Sequence, residues 1–130
     1  VEYLKIEIEE EIKANSIKAE RIEEVGLRGL LNYLDLNFYG GCGNLDSLYM
    51  QRACRYYDEN FWRGISKQSE EFVYLLVVDE KWHAWKFESK EGLQLLINET
   101  TAFRFWLLDA TRRVLVYFGD SDCVHWSRVE

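Results

Sequence analysis

At the start of the chain Leu4, Ile8 and Ile12 recur every four residues among Glu and Lys, the spacing that lines one face of a helix. Leu4, Ile6 and Ile8 also alternate as a strand would, but the run Glu9-Glu10-Glu11 is disfavoured in strands and tolerated in helices, so the pattern predicts a helix. After Asn15 and Ser16, either of which can cap a helix, Ile17, Ile22 and Val25 continue an amphipathic pattern that Gly26 can end. Leu27, Leu30, Leu31 and Leu34 form a second helical stripe. Leu34, Leu36 and Phe38 then alternate into Gly40-Gly41-Cys42-Gly43, which reads as a short strand before a turn. Between Asp46 and Trp62, Tyr49, Ala53 and Tyr56 or Tyr57 fall at helical spacing with Asp46 or Asn44 as the cap, so a third helix is expected there.

Beyond Gly64 the character changes. Residues 72–79, FVYLLVVD, are β-branched and aromatic on both faces, as in a central strand covered on two sides. Residues 82–88, WHAWKFE, follow after Glu80 and Lys81 and complete a tight hairpin. Ser89 caps a short helix whose Leu93, Leu96 and Ile97 face inward. Residues 102–108, AFRFWLL, and 113–118, RVLVYF, make a second hairpin, and a last short strand covers 123–127. The fold expected is α+β and a single domain over 1–130. Its mainly helical part, to about residue 63, packs on one antiparallel sheet with a single helix over 70–127. Leu75, Val77, Phe103, Phe105, Leu107, Val114 and Val116 are the predicted core.

Composition narrows the function classes. The 130 residues suit one domain, and 48% apolar with 15% aromatic residues is ample for a packed interior, which excludes disorder over most of the chain. Lys and Arg number 16 against 23 Asp and Glu, a formal charge of −7, the wrong sign for a general nucleic-acid binder. The longest apolar stretch, Phe72 to Val78, is strand-sized, so no spanning helix and no membrane partner are expected. The opening VEYLKIEIEE alternates apolar and charged residues and lacks the cationic start and apolar block of a signal peptide. Cys42, Cys54 and Cys123 are an odd number at irregular spacing, which fits free thiols in a reducing, cytoplasmic setting.

Each short motif has an ordinary reading. Leu27-Arg28-Gly29-Leu30-Leu31 matches the LxxLL helix-in-groove signature, but in an aromatic-rich domain this spacing is core packing. Gly40-Gly41-Cys42-Gly43 lacks the Lys-Ser or Lys-Thr of a phosphate cradle and reads as a turn. Gly119-Asp120-Ser121-Asp122-Cys123-Val124-His125 holds residue types that bind metals or move protons, yet Asp-Ser-Asp is a turn composition. No catalytic group, metal site or cofactor is therefore expected, and the protein is read as not an enzyme. A small ligand-binding domain or enzyme with a pocket near His83, His125, Cys123 and Asp122 is the alternative if the last strands bring them together.

The more informative feature is a combination. Acidic pairs lie beside aromatic residues, most clearly at Asp58, Glu59 and Trp62 and at Asp79, Glu80 and Trp82. Charge steers a basic partner and an aromatic anchor holds it, so these six residues are the candidate partner-binding groups. The order FVYLLVVD, WHAWKFE, GLQLLIN, AFRFWLLD, RVLVYFGD resembles the strand-strand-helix-strand-strand half of small bacterial domains that include immunity proteins of toxin-delivery systems. The resemblance covers under half of the chain. The relatives carry an Asn-His-His-Asp type turn after the last strand where this chain has Gly119-Asp120-Ser121-Asp122. It implies a cytoplasmic immunity protein that neutralises a cognate basic toxin, often a nuclease, by covering its active site. A phage-encoded or regulatory acidic protein-binding module has the same surface and differs only in partner.

Overall fold

The computed structural model describes residues 2–100 and 102–130. Among these residues there are three α-helices, α1 (Tyr3–Ala14), α2 (Glu24–Phe38) and α3 (Lys90–Glu99). The strands are β1 (Ala19–Ile22), β2 (Cys54–Tyr57), β3 (Phe72–Asp79), β4 (Lys81–Phe87), β5 (Phe105–Asp109), β6 (Val114–Phe118) and β7 (Cys123–Arg128). Two 3-10 segments, Ser47–Tyr49 and Phe61–Lys67, complete the set. The strands form one antiparallel sheet of seven in the order β1-β4-β3-β5-β6-β7-β2, and the class is α+β as the periodicity predicts.

The sheet is covered on both faces. On one face α1, α3 and the Phe61–Lys67 segment enclose Leu75, Val77, Trp85, Phe87, Leu107, Val114 and Val116. On the other, α2 packs Leu30, Leu34 and Phe38 over Tyr74, Leu76, Ala84, Trp106, Leu108 and Leu115. Strands β5 and β6 are buried along their whole length and β3 over its first six residues, which explains their near-continuous apolar sequences. A register shift between Phe72 and Tyr74 turns both Val73 and Tyr74 toward α2. Each fully buried leucine contributes roughly 1.5–3 kcal/mol, so these three strands supply a large share of the hydrophobic stabilisation.

Helix boundaries follow local chemistry where it is strong. Ser89 accepts a hydrogen bond from the Gly92 N–H and starts α3 as expected. Asn15 closes α1 instead of opening a helix, its side-chain amide donating to the Glu11 carbonyl at 2.8 Å, and Ser16 reverses the chain at φ 52°. Three expected elements are corrected. The stretch expected to continue as a helix to Gly26 is edge strand β1, with Ala19 opposite Phe87 and Ile22 opposite Ala84, and Gly26 lies in the first turn of α2. The alternation of Leu34, Leu36 and Phe38 is not a strand, because Leu34 and Phe38 share the buried face of α2 while Leu36 is 71% exposed. The expected helix over Asp46–Trp62 is replaced by a 3-10 turn and strand β2, so the part before residue 63 supplies both outer strands of the sheet. The strand expected over 102–108 begins at Phe105; Phe103 stands before it, half-buried against the core. Leu75, Val77, Phe105, Leu107, Val114 and Val116 are buried as expected.

Candidate functional site

The strand registers place the β3–β4 turn, the start of β5, the β6–β7 turn and the end of β2 at one end of the sheet. Both candidate acidic groups therefore share that end. Four strand spacings separate β3 from β2, about 19 Å, so the groups flank different features.

Around the β3–β4 turn, Asp79 is occupied structurally: its Oδ2 accepts from the Leu4 and Lys5 N–H groups at 2.8 and 3.1 Å, holding the start of α1 against the sheet. The chain reverses through exposed Glu80 at φ 64°. Trp82 is half-buried and packs its ring on Trp106, centroids 4.7 Å apart. At the other group, Asp58 Oδ1 accepts from the Asn60 N–H at 3.0 Å and turns the chain out of β2, while Glu59 is exposed. Trp62 is half-buried with the Arg63 guanidinium 4.8 Å above its ring. It also edges a small apolar hollow of about 110 Å3 with Phe103, Phe105 and Phe118.

A larger groove, about 500 Å3, opens on the α2 face beside Trp82. Its floor is Trp82 and Trp106. Its walls are Leu31 and Asp35 of α2, Leu45 and Asp46 of the following loop, Val78, and Arg104 before β5. The loop is shaped by glycines that take up left-handed backbone, Gly40, Gly41 and Gly43 at φ 64°, 74° and 77°. Gly43 N–H donates to Asp35 Oδ1 at 3.0 Å and Leu48 N–H to Asp46 Oδ1 at 2.9 Å. Both carboxylates are thereby fixed in position at the groove, and the four-residue glycine motif is the turn that its composition suggests.

Behind the groove runs a cross-strand row in direct register: Trp106 opposite Tyr117, Tyr117 opposite His125, His125 opposite Arg55. Trp106 and Tyr117 are 4.7 Å apart, and Tyr117 meets His125 edge-on at 5.5 Å. Trp106 Nε1–H donates to the Tyr39 hydroxyl at 3.2 Å, and burial pushes the Tyr39 phenol up to about 12. Burial also raises Tyr117, against the opposing charge and hydrogen bond of Arg104. His125 is held below its ordinary value, first by burial and then by the Arg55 charge, with the Ser47 backbone and Asp46 opposing. Arg55 Nε–H donates to His125 Nδ1 at 3.2 Å, as suits a neutral imidazole.

His83 lies on the other face, buried under α1. Its Nε2 meets Glu2 Oε1 at 2.6 Å and its Nδ1 meets the Arg21 guanidinium at 2.9 Å, so both ring nitrogens are engaged. The hydrogen bond to His83 lowers the Glu2 carboxyl below its ordinary value, against desolvation. Arg21 also pairs with Glu9 at 3.1 Å and Glu23 at 3.6 Å, so this network ties α1 and β1 to β4. The alternative pocket uniting His83 with His125 is corrected: β4 and β7 are four strand spacings apart, and the two rings face opposite sides of the sheet. Asp122 and Cys123 stand with His125 at the β6–β7 turn, where Asp122 adopts φ 61° and accepts from the Tyr57 hydroxyl at 3.4 Å.

The sequence reading found Trp82 and missed Trp106, Asp35, Asp46 and Arg104. Trp106 sits in a strand with both faces buried, so alternation gave no face to read; the groove carboxylates come from a loop that only the tertiary fold brings to Trp82. Comparison with known protein families and with curated protein sequences finds no match. Among the described residues, no helix is long and apolar enough to cross a membrane.

Proposed function

We propose that this chain is an acidic protein-binding module of the immunity type, which neutralises a cognate basic toxin by docking it over the groove beside Trp82. The observation that carries the reading is the groove itself: a tryptophan pair on the floor, with Asp35 and Asp46 fixed at its walls. A lysine or arginine side chain entering it meets aromatic faces and carboxylates together, and partial desolvation strengthens both attractions. Glu80 and Asp120, on the neighbouring turns, extend the negative rim, and the net charge of −7 adds long-range steering. Arg104, within 3.9 Å of Asp120, is the cation of the wall and selects against a partner surface of uniform positive charge. On this reading the protein works in the cytoplasm.

The test is co-expression with candidate basic toxin domains, beginning with any that is encoded beside its gene. Growth should be restored, and the purified pair should associate more slowly as salt rises. Trp82→Ala should speed dissociation at least about thirtyfold, the equivalent of roughly 2 kcal/mol for an anchor residue, while Glu80→Gln should chiefly slow association. Failure to rescue growth together with no complex at low salt would refute the reading.

A further inference from the structure

The two edges of the sheet are treated differently by the sequence. Strand β1 is guarded by exposed charges at Lys18, Glu20 and Glu23, a usual defence against another strand adding on. Strand β2 has neither lysine nor proline; all four of its residues are exposed, and its one charged residue, Arg55, is bonded back to His125 Nδ1 and the Ser47 and Leu48 carbonyls. Tyr56 and Tyr57 are exposed by 40% and 69%, and Leu48 and Tyr49, in the adjacent turn, by 74% and 54%. These side chains line an open edge, with Tyr56 and Tyr57 on opposite faces of the strand.

The edge is also self-complementary. Asp58 N–H donates inward to the Asp122 carbonyl, in phase with the pairing of Tyr56 and Cys54 to β7. Alternation then directs the N–H and C=O groups of Arg55 and Tyr57 outward. The segment from 52 to 59 reads RACRYYDE, basic at one end and acidic at the other. We infer that β2 pairs antiparallel with β2 of a second copy of this chain, about a two-fold axis at Tyr56. Arg55 then lies opposite Tyr57 of the second copy, and the outward groups form about four main-chain hydrogen bonds. The guanidinium of Arg55 is already fixed by His125 Nδ1 and the carbonyls of Ser47 and Leu48, ready for the opposing tyrosine face. Antiparallel pairing also brings the basic end of the segment, at Arg52, toward the acidic end of the second copy, at Asp58 and Glu59. Moving the axis to Arg55 would oppose like charges. Moving it to Tyr57 would need Glu59 in the ladder, beyond the turn at Asp58. The contact does not depend on the toxin reading.

Sedimentation of the full chain should show a monomer–dimer equilibrium between about micromolar and millimolar concentration. Tyr57→Pro removes an outward N–H that the sheet does not use, so it should stay monomeric over that range with unchanged circular dichroism. In a background with Cys42, Cys54 and Cys123 replaced by Ser, Tyr56→Cys should form a disulfide-linked dimer on mild oxidation. Directly opposed non-hydrogen-bonded residues have Cα atoms about 4.5 Å apart, within disulfide range. If Tyr57→Pro fails to fold, the Tyr56→Cys link decides alone. A chain that remains monomeric at the highest concentration, or a dimer in which the Tyr56→Cys variant does not link, overturns the inference.

Discussion

Asp79 stands at the head of the β3–β4 turn beside Trp82, where sequence suggests a partner-binding acid, and the structure gives it another task. Its carboxylate receives two N–H groups from the first turn of α1, 74 and 75 residues earlier in the chain. Replacing it with Ala removes both acceptors and the negative charge at a helix N-terminus. Loss of a cap costs about 1 kcal/mol, and loss of the charge–dipole attraction roughly 0.3–1 kcal/mol. The freed N–H groups are partly buried and regain only part of their solvation, so the total is about 2 kcal/mol. For a chain of this length that lowers Tm by roughly 6 °C. Urea unfolding of Asp79→Ala should show a lower midpoint at unchanged slope, with amide exchange accelerated first in α1. Asp79→Asn, which keeps an acceptor oxygen, should lose about half as much. If Asp79→Ala leaves the midpoint and α1 exchange unchanged yet slows toxin association, the capping role is wrong and the acid belongs to the docking rim.

Three further outcomes follow from the same geometry. Asp109→Ala should cost about 3 kcal/mol in urea unfolding, because its buried Oδ1 accepts from the Arg113 and Val114 N–H groups at 2.8 and 2.9 Å, and a cost under about 1 kcal/mol would contradict that account. His125 is held below its ordinary value of about 6.5, so as pH falls through 6.5 the unfolded chain takes up the proton first; unfolding midpoints should drop between pH 7.5 and 5.5, and a His125→Gln variant with the same slope would contradict this. Gly43→Ala should destabilise by about 1 kcal/mol through its φ of 77° alone, since an added Cβ meets no neighbouring atom, and a neutral result by calorimetry would show that the loop relaxes.

The elements legible in the sequence are those whose state is fixed by residues close by. β3, β5 and β6 are apolar on both faces because helices cover both sides, and no other conformation would bury such runs as well. α3 is announced by Ser89 and by Leu93, Leu96 and Ile97, and α1 by the fourfold spacing of Leu4, Ile8 and Ile12. The α+β class and all but one of the predicted core residues follow from these signals.

What the tertiary structure alone decided lies at the margins of the sheet. Ala19–Ile22 and Cys54–Tyr57 are short segments of mixed polarity, and each becomes a strand because one neighbour, β4 or β7, offers a row of unpaired main-chain groups. Leu36 completes an alternation by accident, and the burial of Leu34 and Phe38 on one side of α2 overrides it. The division of the six candidate residues is of the same kind: Asp79 holds a distant helix, Trp82 joins Trp106 at the groove, and Asp58 turns the chain away from an open edge. Residue type and spacing determine which side chains are capable of capping, anchoring or pairing. Which of these each one does depends on partners far away along the chain, and their proximity is a property of strand order and register that local periodicity does not encode.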